Sequence, residues 1–100
     1  MTENMISYAS VTAVEDNYVS CELELHSIEE SMLLGSSRKK FVMVEISTEE
    51  IPFEVGEGDV LVIEHNEENI VMIHGKDEEE HQRRKVRMQK RFEALMEMIG

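Results

Sequence analysis

The stretch Glu57-Gly58-Asp59-Val60-Leu61-Val62-Ile63, with Ile70-Val71-Met72-Ile73 close behind it, sets apolar residues on consecutive positions. Neighbouring side chains of a strand point to opposite faces, so both strands are apolar on two sides. Something must cover each face. The chain next enters a charged segment from Asp77 that turns amphipathic towards its end, and a helix there supplies one cover. Gly56 and Gly58 bracket Glu57 as a tight turn into the first strand. Val60 to His65 and Ile70 to His74 pair across Asn66-Glu67-Glu68-Asn69, whose asparagines tolerate left-handed backbone.

Upstream, Val19, Cys21, Leu23 and Leu25 alternate with Ser20, Glu22, Glu24 and His26, the period of a strand with one buried face. Ile6 to Glu15 pairs with it across Asp16-Asn17 as a first hairpin. A third strand covers Lys39 to Ser47, with Val42, Val44 and Ile46 on one face and Phe41 and Met43 on the other. Ser27 to Arg38 is a loop around Gly35-Ser36-Ser37. Within it, Ile28 to Leu34 form a helical turn that caps an open barrel end with Met32, Leu33 and Leu34. Thr48 to Gly58, holding Pro52, Phe53 and Val55, is a structured crossover.

Asp77 stands as a helix cap with Glu80 three residues on, and Glu79–Arg83 and Glu80–Arg84 follow at i, i+4. Met88, Phe92, Leu95 and Ile99 then recur at helical spacing. Apolar residues fill only the last turns, which predicts that the first half lies in solvent and the second half docks on Phe41 and Met43. Val86 falls on the opposite side and has no place in this scheme. The resulting fold class is mainly β with one helix. It is a small five-stranded SH3-like or OB-like antiparallel barrel plus a C-terminal amphipathic α-helix. One domain spans residues 1–100, with the barrel over 6–75 and the helix over 77–99. The alternative is an open curved sheet whose helix packs on a second copy.

One hundred residues, 41% of them hydrophobic, bury one modest core, which argues for a single domain. Twenty-two acidic residues against ten basic ones leave a net charge of −12, which repels phosphate backbones. The single cysteine, Cys21, has no disulfide partner and sits on the buried side of its strand. A reducing compartment is therefore expected. The start, Met1-Thr2-Glu3-Asn4-Met5, is neither basic nor apolar, and no run approaches a membrane span, so a cytoplasmic protein without membrane association is expected.

The order of hairpin, proline-containing crossover, Gly58-Asp59-Val60-Leu61, short hairpin and Arg- and Lys-rich helix resembles the family catalogued as domain of unknown function 3006. These are short acidic bacterial proteins found especially among Firmicutes. The matching segments are Val11 to Glu24, Ile51 to Ile63 and Asp77 to Met96, most of the chain. The segment His26 to Ser47 is longer than the short turn and strand such relatives would have. The resemblance implies a small barrel-like fold with a closing helix, in the cytoplasm, and supplies no activity.

His26, His65, His74 and His81 lack paired short spacing, and the carboxylates of Glu64, Glu67, Glu68 and Glu78 to Glu80 lack the alternation of a calcium loop, so no metal is expected. Ser31, Ser36, Ser37 and Cys21 have no recognisable nucleophile elbow, and Gly56-Glu57-Gly58 lacks the Lys and Ser or Thr of a phosphate loop. No enzyme and no cofactor are expected. Six of the ten basic residues, Arg83, Arg84, Lys85, Arg87, Lys90 and Arg91, cluster in the helix, while residues 1–76 hold sixteen acidic and four basic groups. An acidic body beside a basic helix suggests self-complementarity or a protein partner ahead of an external anion. The candidate partner-binding residues are Arg83, Arg84, Arg87, Lys90, Arg91, Met96 and Met98, the methionines because thioethers repack around varied surfaces. The expected function is a non-enzymatic interaction or adaptor module, acting on a protein partner or through self-association of the helix. The alternatives are an acidic inhibitor that mimics nucleic acid on a basic partner, and an OB-like nucleic-acid binder. The last would need exposed stacking aromatics, and only Tyr8, Tyr18, Phe41, Phe53 and Phe92 exist to supply them.

Overall fold

In the computed structural model, which describes residues 3–35 and 37–99, five strands and a long helix follow the expected order. The strands are β1 (Met5–Val14), β2 (Tyr18–Glu24), β3 (Phe41–Ser47), β4 (Val60–His65) and β5 (Ile70–Lys76). A short helix α1 (Ile28–Leu33) follows β2, and α2 (Glu78–Ile99) follows β5. All pairings are antiparallel, in the order β3-β2-β1-β4-β5. The sheet is open, with β3 and β5 as edges, and does not close into the expected barrel. The long β1 pairs β4 through its first half and β2 through its second, which makes it the spine.

One face of the sheet carries the core. Ala9, Val11, Val19, Cys21, Leu23, Ile46, Leu61 and Ile63 are buried there, and the crossover after β3 lays Ile51, Phe53 and Val55 against them. The proline segment is thus a lid made of chain rather than of regular structure. Truncating Ile51 would cost about 2–4 kcal/mol through lost transfer and cavity terms. Gly58 has φ +89° and donates its N–H to the Val11 carbonyl, while the Gly56 N–H is held by Asp59 Oδ2. A side chain at Gly58 would strain that left-handed turn. In the β4–β5 hairpin no asparagine takes left-handed backbone. Asn66 acts instead through its side chain, whose Oδ1 accepts from the N–H groups of Glu68 and Asn69.

The other face is only partly covered. Across the strands, Val60, Ser10, Glu22 and Met43 form one row, and Val62 and Tyr8 lie in the next. The N-terminal turns of α2 lie over Tyr8 and Val60, which are buried, but Phe41, Met43 and Met72 stay open to solvent. The expected arrangement of α2 is reversed, because the root docks and the tip projects. Met88, Phe92, Leu95 and Ile99 are 72%, 64%, 57% and 80% exposed, and pack on no core residue. The molecule is accordingly elongated, 52 × 32 × 21 Å. α1 forms where the helical turn was expected, capped by Ser27, but Met32 and Leu33 point outward and seal no barrel end. Among the described residues, no helix is long and apolar enough to cross a membrane.

Candidate functional site

The root of α2 is bound to the sheet by polar groups. Asp77 Oδ1 accepts from the Glu80 N–H at 2.9 Å, the expected cap, while the Asp77 N–H donates to the Val60 carbonyl of β4. The Asp77 carboxyl is held below its ordinary value, first by the Glu80 amide, with the Tyr8 hydroxyl and nearby Arg83 adding to it. Tyr8 donates its hydroxyl to Asp77 Oδ2, and burial followed by that carboxylate pushes its phenol up to about 12. Glu80 does not turn back to complete a capping box. It is buried, and accepts from Arg87 at 2.9 Å, with Arg83 and Arg84 also at ion-pair distance.

Arg84 fixes the helix to the middle of the sheet. Its guanidinium donates to Ser10 Oγ on β1 at 2.7 Å and to Glu24 Oε2 on β2 at 2.8 Å, and stacks 5.2 Å from the Tyr8 ring centroid. Glu24 is 1% exposed. Burial raises its carboxyl, but Arg84 and then Lys39 outweigh that and hold it below the ordinary carboxylate value. Lys39 Nζ stands 3.1 Å from Oε1, an ion pair without hydrogen-bond alignment. Between α1 and this root lies a cleft of about 590 Å³. Its apolar lining is Tyr8, Met32, Leu34 and Val86, which gives Val86 the neighbour the helical pattern did not reveal.

Beyond the root, Met88 and Arg91 share a second cleft with Phe41 of β3 and Glu22 of β2. From there to Ile99 every residue is exposed, with Phe92, Leu95, Met96 and Ile99 forming an apolar stripe. No protein-family profile, no curated protein and no solved structure matches this chain.

The structure divides the seven candidate partner-binding residues. Arg84 turns inward, and Arg83 and Arg87 are half exposed but tied to Glu80. Lys90, Arg91, Met96 and Met98 lie on the exposed half of the helix. The expected pairs Glu79–Arg83 and Glu80–Arg84 are present, at 4.0 and 3.5 Å. The role of Glu24 was missed, because its alternation with Leu23 and Leu25 assigns it to solvent; no local pattern reveals a cation arriving sixty residues later.

Of the serines weighed as nucleophiles, Ser36 lies outside the described residues, Ser37 is exposed and Ser31 is buried in α1. A pair the sequence did not suggest is Ser7 with His65, Nε2 to Oγ at 2.8 Å. Ser7 Oγ gives its proton to the His26 carbonyl, so the imidazole N–H is the donor in this pair. His65 is thus not placed as a base for Ser7, which is fully buried, and burial lowers the affinity of the ring for a second proton. His74 pairs with Glu64, His81 with Asp59 and His26 with Glu30. Among the described residues, no group of three or more His, Cys, Asp or Glu is arranged to hold a metal ion.

Proposed function

We propose that this chain is a non-enzymatic interaction module that docks a protein partner through the outer half of α2. The observation that carries this reading is the contrast within one helix. Its root is held by a buried ionic network, while its tip keeps a stripe of Phe92, Leu95, Met96 and Ile99 in solvent. An isolated helix end of this length is marginal in water, and an apolar stripe left open on it is a mark of an interaction surface. The basic residues nearest the sheet, Arg83, Arg84 and Arg87, already meet Glu80 and Glu24, which argues against a phosphate backbone as the ligand. A protein surface that is apolar and carries acidic groups fits the tip better.

Photo-crosslinking from a probe placed at Leu95 in the full chain tests this reading. Protein adducts should form with the natural sequence and disappear with Phe92→Glu/Met96→Glu. A probe that reacts only with water, at any protein concentration, would sink the docking surface.

A further inference from the structure

Resting on that reading of the outer half of α2, we infer that its occupant is a second copy of this chain, joined antiparallel along the open edge of β3. The Leu25 N–H donates to the Lys40 carbonyl, and the Thr48 N–H to the Asn17 carbonyl. Peptide groups alternate sides along an antiparallel strand, so the even-numbered residues of β3 face β2. Phe41, Met43 and Glu45 therefore aim their N–H and C=O groups out of the sheet. The β3 ladder is regular from Phe41 to Ser47, without bulge or proline, and Glu45 is its one charge. The opposite edge, β5, is broken by two register shifts and ends in Gly75 and Lys76. A regular apolar edge is what proteins otherwise blunt, and here β3 alone is left as a template for pairing.

The order of its contacts carries the helix towards that same edge. Its root meets β4 and β1, Arg84 reaches β2, and Met88 shares a cleft with Phe41 of β3. Residues 92–99 remain, about 12 Å of helix at ~1.5 Å per residue. Strands lie ~4.8 Å apart, so the overhang extends about two strands past the edge. In a twofold pair with its axis normal to the sheet, the helix-bearing faces of both copies become one surface and the two overhangs run antiparallel over the seam. Phe92 then meets its counterpart near the axis, and Leu95 reaches Met88 of the other copy, above the exposed Phe41 and Met43 of both. Charge agrees with this direction. Each helix is basic from Lys85 to Arg91 and acidic at Glu93 and Glu97, so an antiparallel crossing centred near Arg91 and Phe92 sets Lys90 of one copy beside Glu93 of the other.

The test is the light-scattering mass of the full chain across a dilution series, for the natural sequence, Met43→Pro and Phe92→Glu/Leu95→Glu. Met43 points its N–H outward and its side chain into solvent, so proline there removes an edge donor and leaves the β2 ladder intact. The natural chain should show twice the single-chain mass, and each variant should weaken the pair by roughly 30-fold or more. Hydrogen exchange on the natural chain gives a measure that needs no variant. The amides of Phe41, Met43 and Glu45 should gain protection only as concentration rises. A single-chain mass throughout, with those amides unprotected, overturns the second copy; Leu95 crosslinks to another protein would then leave the docking reading standing. A dimer indifferent to Phe92→Glu/Leu95→Glu overturns the docking reading, and one indifferent to Met43→Pro overturns the β3 seam alone.

Discussion

Glu24 on β2 and Arg84 on α2 stand sixty residues apart in sequence and 2.8 Å apart in space, and this bond ties the root of the helix to the middle of the sheet. Removing the cation leaves a buried carboxylate with only the misaligned Lys39 beside it. Arg84→Met should destabilise the chain by about 2–4 kcal/mol in urea titration, and Glu24→Met/Arg84→Met should recover most of that loss. A single variant within ~0.5 kcal/mol of the natural chain would remove the pair from any anchoring role.

Asp77 joins the helix cap to the Tyr8 phenol. Asp77→Ala should cost about 1 kcal/mol through the lost cap. It should also bring the Tyr8 phenol down from about 12, though burial, its largest cause, keeps it above 10. Phenolate absorbance in a Tyr18→Phe background reads this directly. Keeping Tyr8 protonated contributes stability that is fully present below pH 10 and is lost as pH rises through about 12. An unchanged phenol titration in Asp77→Ala would contradict the bond.

Acid acts on the other end of the scale. Burial depresses His65 below its ordinary 6.5, so its neutral form contributes stability that is complete above that pH and falls as the ring is forced to charge. Asp77 and Glu24, both held below their ordinary values, lose their contributions only at lower pH. Stability measured by urea midpoint should therefore decline in two stages, and His65→Gln should abolish the first. A midpoint flat from pH 7 to the carboxylate range would rule out the buried imidazole as its source.

Cys21 is fully buried, and burial raises its thiol to about 11. A thiol kept protonated and out of solvent is a poor nucleophile. Alkylation of the native protein near neutral pH should proceed only as fast as the chain unfolds, and should accelerate with urea in step with the loss of strand signal. Rapid labelling in buffer would place Cys21 outside the core.

Shortening the helix separates its two halves. In dilute solution, a chain ending at Arg91 should keep the stability of the natural one within about 0.5 kcal/mol, since residues 92–99 touch no core side chain. A chain ending at Gly75 loses the cover over Tyr8 and Val60 together with the Arg84 anchor, and should aggregate. Equal effects of the two truncations, read by circular dichroism and light scattering, would refute the division of α2 into root and tip.

Strand positions, the two hairpins, the cap at Asp77 and the burial of Cys21 were legible from residue order, because period-2 alternation, turn chemistry and capping are local properties. Closure of the sheet was not. Whether β3 meets β5 depends on strand twist and on the path of the Thr48 to Gly58 crossover, which no periodicity encodes. The direction of α2 was misread for a related reason. An apolar stripe at Met88, Phe92, Leu95 and Ile99 says that a face wants cover, but not which surface supplies it. The helix is instead held where Glu24, Ser10 and Tyr8 converge from two strands to receive Arg84, and that convergence exists only after β1 and β2 have paired. Local pattern settled the elements, while the pairing of β1 and β2 decided where the helix root could rest, since a root laid over Glu24 takes that carboxylate out of water and has to bring a cation to it.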